Sequence, residues 1–268
     1  MISINTNYGS LFASKSAGAV QKTMNTAMER LSSGLRINSA KDDAAGQGIA
    51  TRLSAEIMGL EMASRNAADA QAMIDTAEAA HQEVHSMLIR MREIAVQAAN
   101  GTLSDADRTA LNEEVTALET EITSIADNTT FAGVNLGTST AVKFQTGTGN
   151  GDTIDHTFKD FDATKISANV DVLSTGSAGN AVSTLDAAIS LISTRRGELG
   201  ALSNRLSSTI ANLDNVAVNL SSARGRIQDT DFATETSNLA KSQIMQQAAT
   251  AMLAQANASK QTVLALIQ

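Results

Sequence analysis

The chain has 268 residues, 43% of them hydrophobic but only 3% aromatic, with no Trp, Pro or Cys. That apolar content argues against wholesale disorder, and the missing Cys excludes disulfides, a thiol nucleophile and a cysteine metal site. A formal net charge of −8 argues against nucleic acid or an anionic membrane as the main partner, because both are held by clustered Lys and Arg.

Without Pro the commonest helix breaker is missing, so long uninterrupted helices are expected. The start, Met1-Ile2-Ser3-Ile4-Asn5-Thr6-Asn7, has neither a basic region nor an apolar run and predicts no cleavable secretory signal. From 4 to 31, Leu11, Ala17, Val20, Met24, Ala27 and Leu31 give helical spacing on a segment too polar and Ala-rich to be stable without a partner. Residues 31–48, reading LSSGLRINSAKDDAAGQG, break the pattern and predict an irregular connector. Ser39 followed by Asp42 has the form of a capping box, which places the next helix start near Ala40.

The clearest pattern runs from 53 to 98. Leu60, Ala63, Ala67, Ala70, Ile74, Ala77, His81, Val84, Leu88, Met91, Ala95 and Ala98 alternate steps of three and four, a heptad seam that needs a partner helix. At 1.5 Å per residue, roughly 46 residues of helix predict a rod on the order of 70 Å long. Its end is expected near Asn100-Gly101, with Gly101 in the left-handed conformation. Ser104, Asp105 and Asp107 then supply a cap and an acidic first turn. Leu111, Val115, Leu118, Ile122 and Ile125 repeat the seam to about Asn128, and the short loop makes the two helices antiparallel.

Between 129 and 179 the helical spacing is lost. Val142 and Phe144, then Ile154, His156 and Phe158, alternate with polar residues around a turn at Gly149-Asn150-Gly151-Asp152, which predicts a small β-hairpin region. From Val182 the three-four spacing returns through Leu185, Ile189, Ile192, Arg196, Leu199, Ser203, Leu206, Ile210, Leu213, Ala217 and Leu220. After a polar interruption at 228–236, a last helix from about Ser237 carries Met245, Ala248, Met252, Ala256, Val263 and Leu266. The fold class is therefore mainly α, with long antiparallel helices in coiled-coil bundles and a small β-hairpin region.

Little in the chain suggests catalysis. His81-Gln82-Glu83-Val84-His85 places two imidazoles at i and i+4, but the zinc-protease motif needs Glu directly after the first His, and Gln82 stands there. Asp42-Asp43 and Asp229 with Asp231 read as helix-end caps before they read as a cation site. No cofactor is expected, and the chain is not read as an enzyme.

Several long motifs, in order, resemble bacterial flagellin: INTN and LSSGLRINSAKDDAAGQGIATRL (31–53) near the start, then RRGELGALSNRL (195–206), ARGRIQDTDFATE (223–235) and QIMQQAATAMLAQAN (243–257). The resemblance implies a short member lacking the variable outer domains. It implies a terminal coiled-coil domain of 1–43 plus 230–268, lining the filament channel, and a helical rod domain of 44–229 with the hairpin region at about 129–179. It also implies a structural subunit that polymerises with itself into the flagellar filament for motility, leaves the cell unfolded through the type III export apparatus, and meets an export chaperone and a cap protein, with no nucleic acid or membrane as partner. The assembly seam would include Val20, Met24, Leu31, Met245, Met252 and Val263. By the same resemblance Ile89, Arg90, Glu93, Ile94, Gln97 and Glu114 form the epitope of the flagellin-sensing Toll-like receptor, with Ile89 and Ile94 where Gln and Leu are usual. Leu264, Leu266 and Ile267 resemble the apolar tail read by inflammasome sensors, with Gln268 in place of the usual closing Arg. The alternative is a hook–filament junction protein of the same architecture. A metalloenzyme using His81 and His85 ranks third.

Overall fold

The computed structural model describes residues 6–166 and 168–265, with side-chain surroundings as far as Ser259. Two compact units are present, one of Met1–Ala55 with Asn219–Gln268, the other of Glu56–Val218.

In the first unit, α1 (Tyr8–Ser33) packs along α5 (Phe232–Ala265). Asn7 caps α1 by accepting the Ser10 N–H at 3.1 Å, and its side-chain amide donates to the Ala256 carbonyl at 3.0 Å, tying the start of α1 to α5. The buried residues of α1 are Ala13, Val20 and Ala27, one per heptad, with Met24 half-buried between the last two and Leu31 half-buried beyond them. Leu11 is 60% exposed, so the seam runs through Ala13 rather than the expected Leu11. The helix closes at Gly34, whose φ of 73° is the left-handed conformation that glycine adopts without strain.

The connector is more ordered than its composition suggests. Leu35 bridges to Asp229, and Arg36 donates its N–H to Gln228 O at 2.7 Å while Thr230 donates back to Gly34 O at 3.0 Å. Asp42 accepts the N–H groups of Ser39 and Asn38 and the Ser39 hydroxyl, and these bonds, those to the backbone foremost, hold its carboxyl below the usual carboxylate range. This closes a separate turn. The next helix, α2 (Ala44–Ala98), starts later than Ala40 because Asp43 caps it, accepting the Gly46 N–H at 2.9 Å. α5 likewise starts earlier than Ser237, at Phe232, where Asp231 accepts the Ala233 N–H at 2.9 Å. The hydroxyls of Thr236 and Ser237 bond back to helix carbonyls, which lets a polar run stay helical. Glu235, 7% exposed, pairs with Arg30 at 3.8 Å.

In the second unit all the seam residues of α2 from Leu60 to Ala98 are buried, at 9% exposure or less. They face α3 (Asp105–Asn128) through Val115, Ile122 and Ala126, and α4 (Thr175–Gln228) through Leu185, Ile192, Leu199 and Leu206. Ala at six of the twelve seam positions suits close helix packing. Gly101 does not take a left-handed conformation. Instead Arg108, 6% exposed, donates to the carbonyls of Ala98 and Asn100, each at 3.1 Å, so a side chain from α3 terminates α2. Ser104 and Asp107 form a capping box at the start of α3.

Two antiparallel hairpins follow. The second, β3 (Ala141–Gln145) with β4 (Thr153–Thr157), pairs Val142 with His156 and Phe144 with Ile154, and buries Phe144 and Ile154. The first, β1 (Thr130–Phe131) with β2 (Val134–Asn135), has only two residues per strand and escapes a periodicity reading. It turns on Ala132 and Gly133 at φ of 49° and 83°, both positive as a tight hairpin turn requires. The described residues of segment 158–173 are not part of a sheet. They form a strap whose Phe158, Phe161, Ala163, Ile166, Ala168 and Val172 are buried. Side chains of α3 hold its backbone, Glu119 accepting the Val170 N–H at 2.7 Å and Asn112 accepting the Val172 N–H at 3.0 Å. α4 then begins at Thr175, ahead of the expected Val182, because Ser174 caps it by accepting the Ser177 N–H at 3.0 Å.

Replacing Arg108 by Ala leaves two carbonyls at the end of α2 without their partner. Urea denaturation of the variant is expected to show a loss of about 2 kcal/mol, with secondary structure otherwise retained.

Candidate functional site

Two surfaces carry the residues of interest. The first lies on α1 and α5 within the first unit. Tyr8, Leu11, Phe12, Ile244, Met245 and Met252 are between 46% and 74% exposed there, a dense set of large apolar side chains facing solvent. A groove of about 330 Å³ opens between the two helices, lined by Phe12, Ala13, Met252, Gln255 and Ala256 among others. Farther along, Val20 of α1 and Met245 of α5 line one cleft with Lys241 and Ser242. Of the seam residues read from the sequence, Val20 is buried, Met24 and Leu31 are half-buried, and Met245 and Met252 are exposed. The side chains of Val263 and Leu264, and Leu266 and Ile267 altogether, lie outside the described residues.

The second surface lies on α2 and α3. Arg90 places Nε 2.9 Å and Nη2 2.8 Å from one carboxylate oxygen of Glu114, and Nη1 3.2 Å from Glu93. The bonds to Glu114, then to Glu93, raise the guanidinium pKa above its ordinary value. All three side chains are substantially exposed, as are Ile89 and Gln97. Ile94 differs: it is fully buried, packed with Met91, Val115 and Ile122 in the core. Next to this surface Arg92 meets Asp186 of α4 at 2.5 Å.

The histidines do not assemble a motif on one helix. His81 is 3% exposed, with Nδ1 2.7 Å from the Ala77 carbonyl and its ring tilted on Phe161 at 4.5 Å; His85 is half-buried. Burial pushes the His81 imidazole below its ordinary pKa. His156, which has no pattern around it in the sequence, lines the same small cavity as His81, with Lys159, Arg195 and Glu198. Among the described residues no group of three metal-binding side chains occurs. Asp42, Asp43 and Asp231 all serve as turn or helix caps.

Comparison with known proteins turns on the helical ends. Residues 4–139 match the family description "Bacterial flagellin N-terminal helical region" and residues 182–267 match "Bacterial flagellin C-terminal helical region". The chain belongs to the bacterial flagellin family. A flagellin of Halalkalibacterium halodurans is 42% identical over 270 residues, covering 99% of each chain. Flagellin A of Vibrio cholerae is 34% identical over an alignment of 377 positions that covers this chain completely, so that flagellin carries residues this short form lacks. Among solved structures, Bacillus cereus flagellin aligns at a TM-score of 0.50 with 29% identity, over 60% of this chain and 94% of that one. A structure described as a flagellar hook-associated protein of Vibrio parahaemolyticus aligns at 0.60 with 17% identity, over 70% and 100%, and shares the fold. This flagellin is a structural subunit of the extracellular flagellar filament. No described helix is long and apolar enough to cross a membrane.

The residues of the second surface divide by burial. Arg90→Ala should leave the thermal midpoint of the monomer essentially unchanged, because its carboxylate partners stay in water. Ile94→Ala should cost about 2–5 kcal/mol in chemical denaturation, as removal of a buried Ile does.

Proposed function

We propose that this flagellin polymerises by burying the exposed apolar faces of α1 and α5 against neighbouring copies, with 1–43 and 230–268 as its inner coiled-coil domain and 44–229 as its helical rod. The observation that carries this is the concentration of Tyr8, Leu11, Phe12, Ile244, Met245 and Met252 in solvent on two helices whose own contact buries mainly small residues. Surfaces of this kind are costly in a monomer and are stabilised by association. Export proceeds as an unfolded chain through the flagellar type III apparatus, with an export chaperone and a cap protein as partners. The composition suits repeated unfolding: without Cys no disulfide forms, and without Pro no slow prolyl isomerisation delays refolding.

The exposed cluster of Arg90, Glu93, Gln97, Glu114 and Ile89 is the part of the epitope available to the flagellin-sensing Toll-like receptor, and Ile94 acts only by supporting the helix beneath it. Arg90 suits such a role because its guanidinium is already oriented by two carboxylates and can exchange one for a partner's. Leu264, Leu266 and Ile267 form the tail for inflammasome sensors. The hook–filament junction reading has less support, since likeness to the hook-associated structure rests on 17% identity, against 42% across nearly the whole of a flagellin.

The variants Phe12→Glu and Met252→Glu test assembly. Each should remain soluble and helical but fail to sediment as filaments when seeded, whereas normal polymerisation by both would remove α1 and α5 as the interface. For the receptor, Arg90→Ala monomer should lose about thirtyfold in signalling potency, the equivalent of about 2 kcal/mol. Undiminished signalling would show that the epitope lies elsewhere.

A further inference from the structure

The second unit holds a charged cluster that filament assembly does not explain. His81 sits in the seam of α2, 3% exposed, with its ring 4.5 Å from that of Phe161 on the strap. Its Nδ1 lies 2.7 Å from the Ala77 carbonyl, so Nδ1 carries the hydrogen of the neutral ring. Arg195 of α4, which lines the same cavity as His81, also reaches the strap, donating through Nη1 to the Asp160 carbonyl, and its Nε is buried with no partner among the described residues. One imidazole and one guanidinium thus grip two consecutive strap residues.

The charges around this grip are nearly all committed. On α2, Glu78 pairs with Arg196 of α4 at 2.6 Å. Glu198 of α4 pairs with Lys159 at 3.2 Å, and His156 of β4 lines the same cavity. Burial lowers the Arg195 pKa, against the opposing pull of Glu198 and the Asp160 carboxylate. A proton added to His81 would therefore stand near the Arg195 cation, with Glu78 already bound to Arg196 and Glu198, in the same cavity, already bound to Lys159. In a buried site such a like-charge pair is poorly screened.

We propose that His81, Phe161 and Arg195 form an acid-operated clasp: with His81 neutral the strap 158–173 is held on the helices of the second unit, and protonation of His81 releases it. The direction follows from linkage. Burial is the main cause that depresses the folded-state pKa of His81; the bond to the Ala77 carbonyl opposes it, Arg195 adds to it, Glu78 opposes it and Arg196 adds least. With the strap open, His81 returns toward its ordinary value of about 6.5. The open form then binds the extra proton, so the clasp is fully closed above that value and weakens as pH falls below it. His156 is depressed by burial in the same direction, whereas Glu119, raised by burial, acts in the opposite one.

Release frees a specific set of amides. The Phe161 N–H donates to Gly137 O, Val170 to Glu119 and Val172 to Asn112, and these bonds depend on the strap lying in place. Its departure would expose Phe161, Ile166 and Val172, all nearly or fully buried when it is closed.

The test is amide hydrogen exchange on the full-length monomer between pH 7.5 and 5.5, corrected for the intrinsic pH dependence of exchange. Protection of the strap amides should fall close to tenfold per pH unit below about 6.5, the limit for one proton, while amides at the centres of α2 and α4 keep theirs. In His81→Leu the strap should lose this slope, and in His156→Asn the slope should persist. An NMR titration of the wild-type ring reads the same linkage without a variant and should place His81 below its ordinary value. The clasp is overturned if His81 titrates at that ordinary value, if the slope survives in His81→Leu or vanishes in His156→Asn, or if protection falls uniformly through strap and helices.

Discussion

Everything in the second unit depends on one contact, the Ala-rich seam of α2 against α3 and α4. Ala63, Ala67, Ala70, Ala77, Ala95 and Ala98 add little apolar area individually but suit close helix packing, and Ile74, Leu88, Met91, Leu185, Ile192 and Leu206 are buried along with them. The rest is attached to this seam. Arg108 ends α2 so that α3 can return along it, the β3–β4 hairpin packs Phe144 and Ile154 with Ala70, Ile74 and Leu199, and the strap packs Phe161 and Ile166 with Leu88, Met91 and Leu185.

The first unit follows the same geometry with less to bury. Along α1, complete burial is limited to Ala13, Val20 and Ala27, and ordering costs about 1–2 kcal/mol per residue in backbone entropy alone. Two helices with so narrow a seam are marginal in water, and the large apolar residues that could stabilise them, Phe12, Ile244 and Met252, point outward. On the proposed mode of assembly, this unit gains its stability by polymerisation.

The helical fold was legible in the sequence because three-four spacing over many turns has few other interpretations: all the seam positions from Leu60 to Ala98 are buried. The β3–β4 hairpin showed through its alternation about Phe144 and Ile154. What escaped was non-periodic. The strap buries Phe161, Ile166 and Val172 in no regular order, and β1–β2 turns on Ala132, a residue that rarely signals a positive φ. Helix starts at Thr175 and Phe232 were hidden by Gly, Thr and Ser, which read as loop until the caps at Ser174 and Asp231 are seen. At the α2–α3 surface, the motif put Ile94 alongside Arg90, and only the three-dimensional packing separates the buried residue from the exposed one. The meeting of His81 with His156 and Arg195 joins three distant parts of the chain and has no sequence signal at all.

The central claim is that the second unit is stable within one chain while α1 and α5 gain their stability from neighbouring copies. Limited proteolysis of dilute monomer and of assembled filament, followed by mass spectrometry, tests it most directly. The account predicts that the monomer loses its α1 and α5 segments quickly and leaves a resistant fragment spanning α2 to α4, and that the filament resists cleavage throughout. Equal resistance of α1 and α5 in the dilute monomer would contradict it.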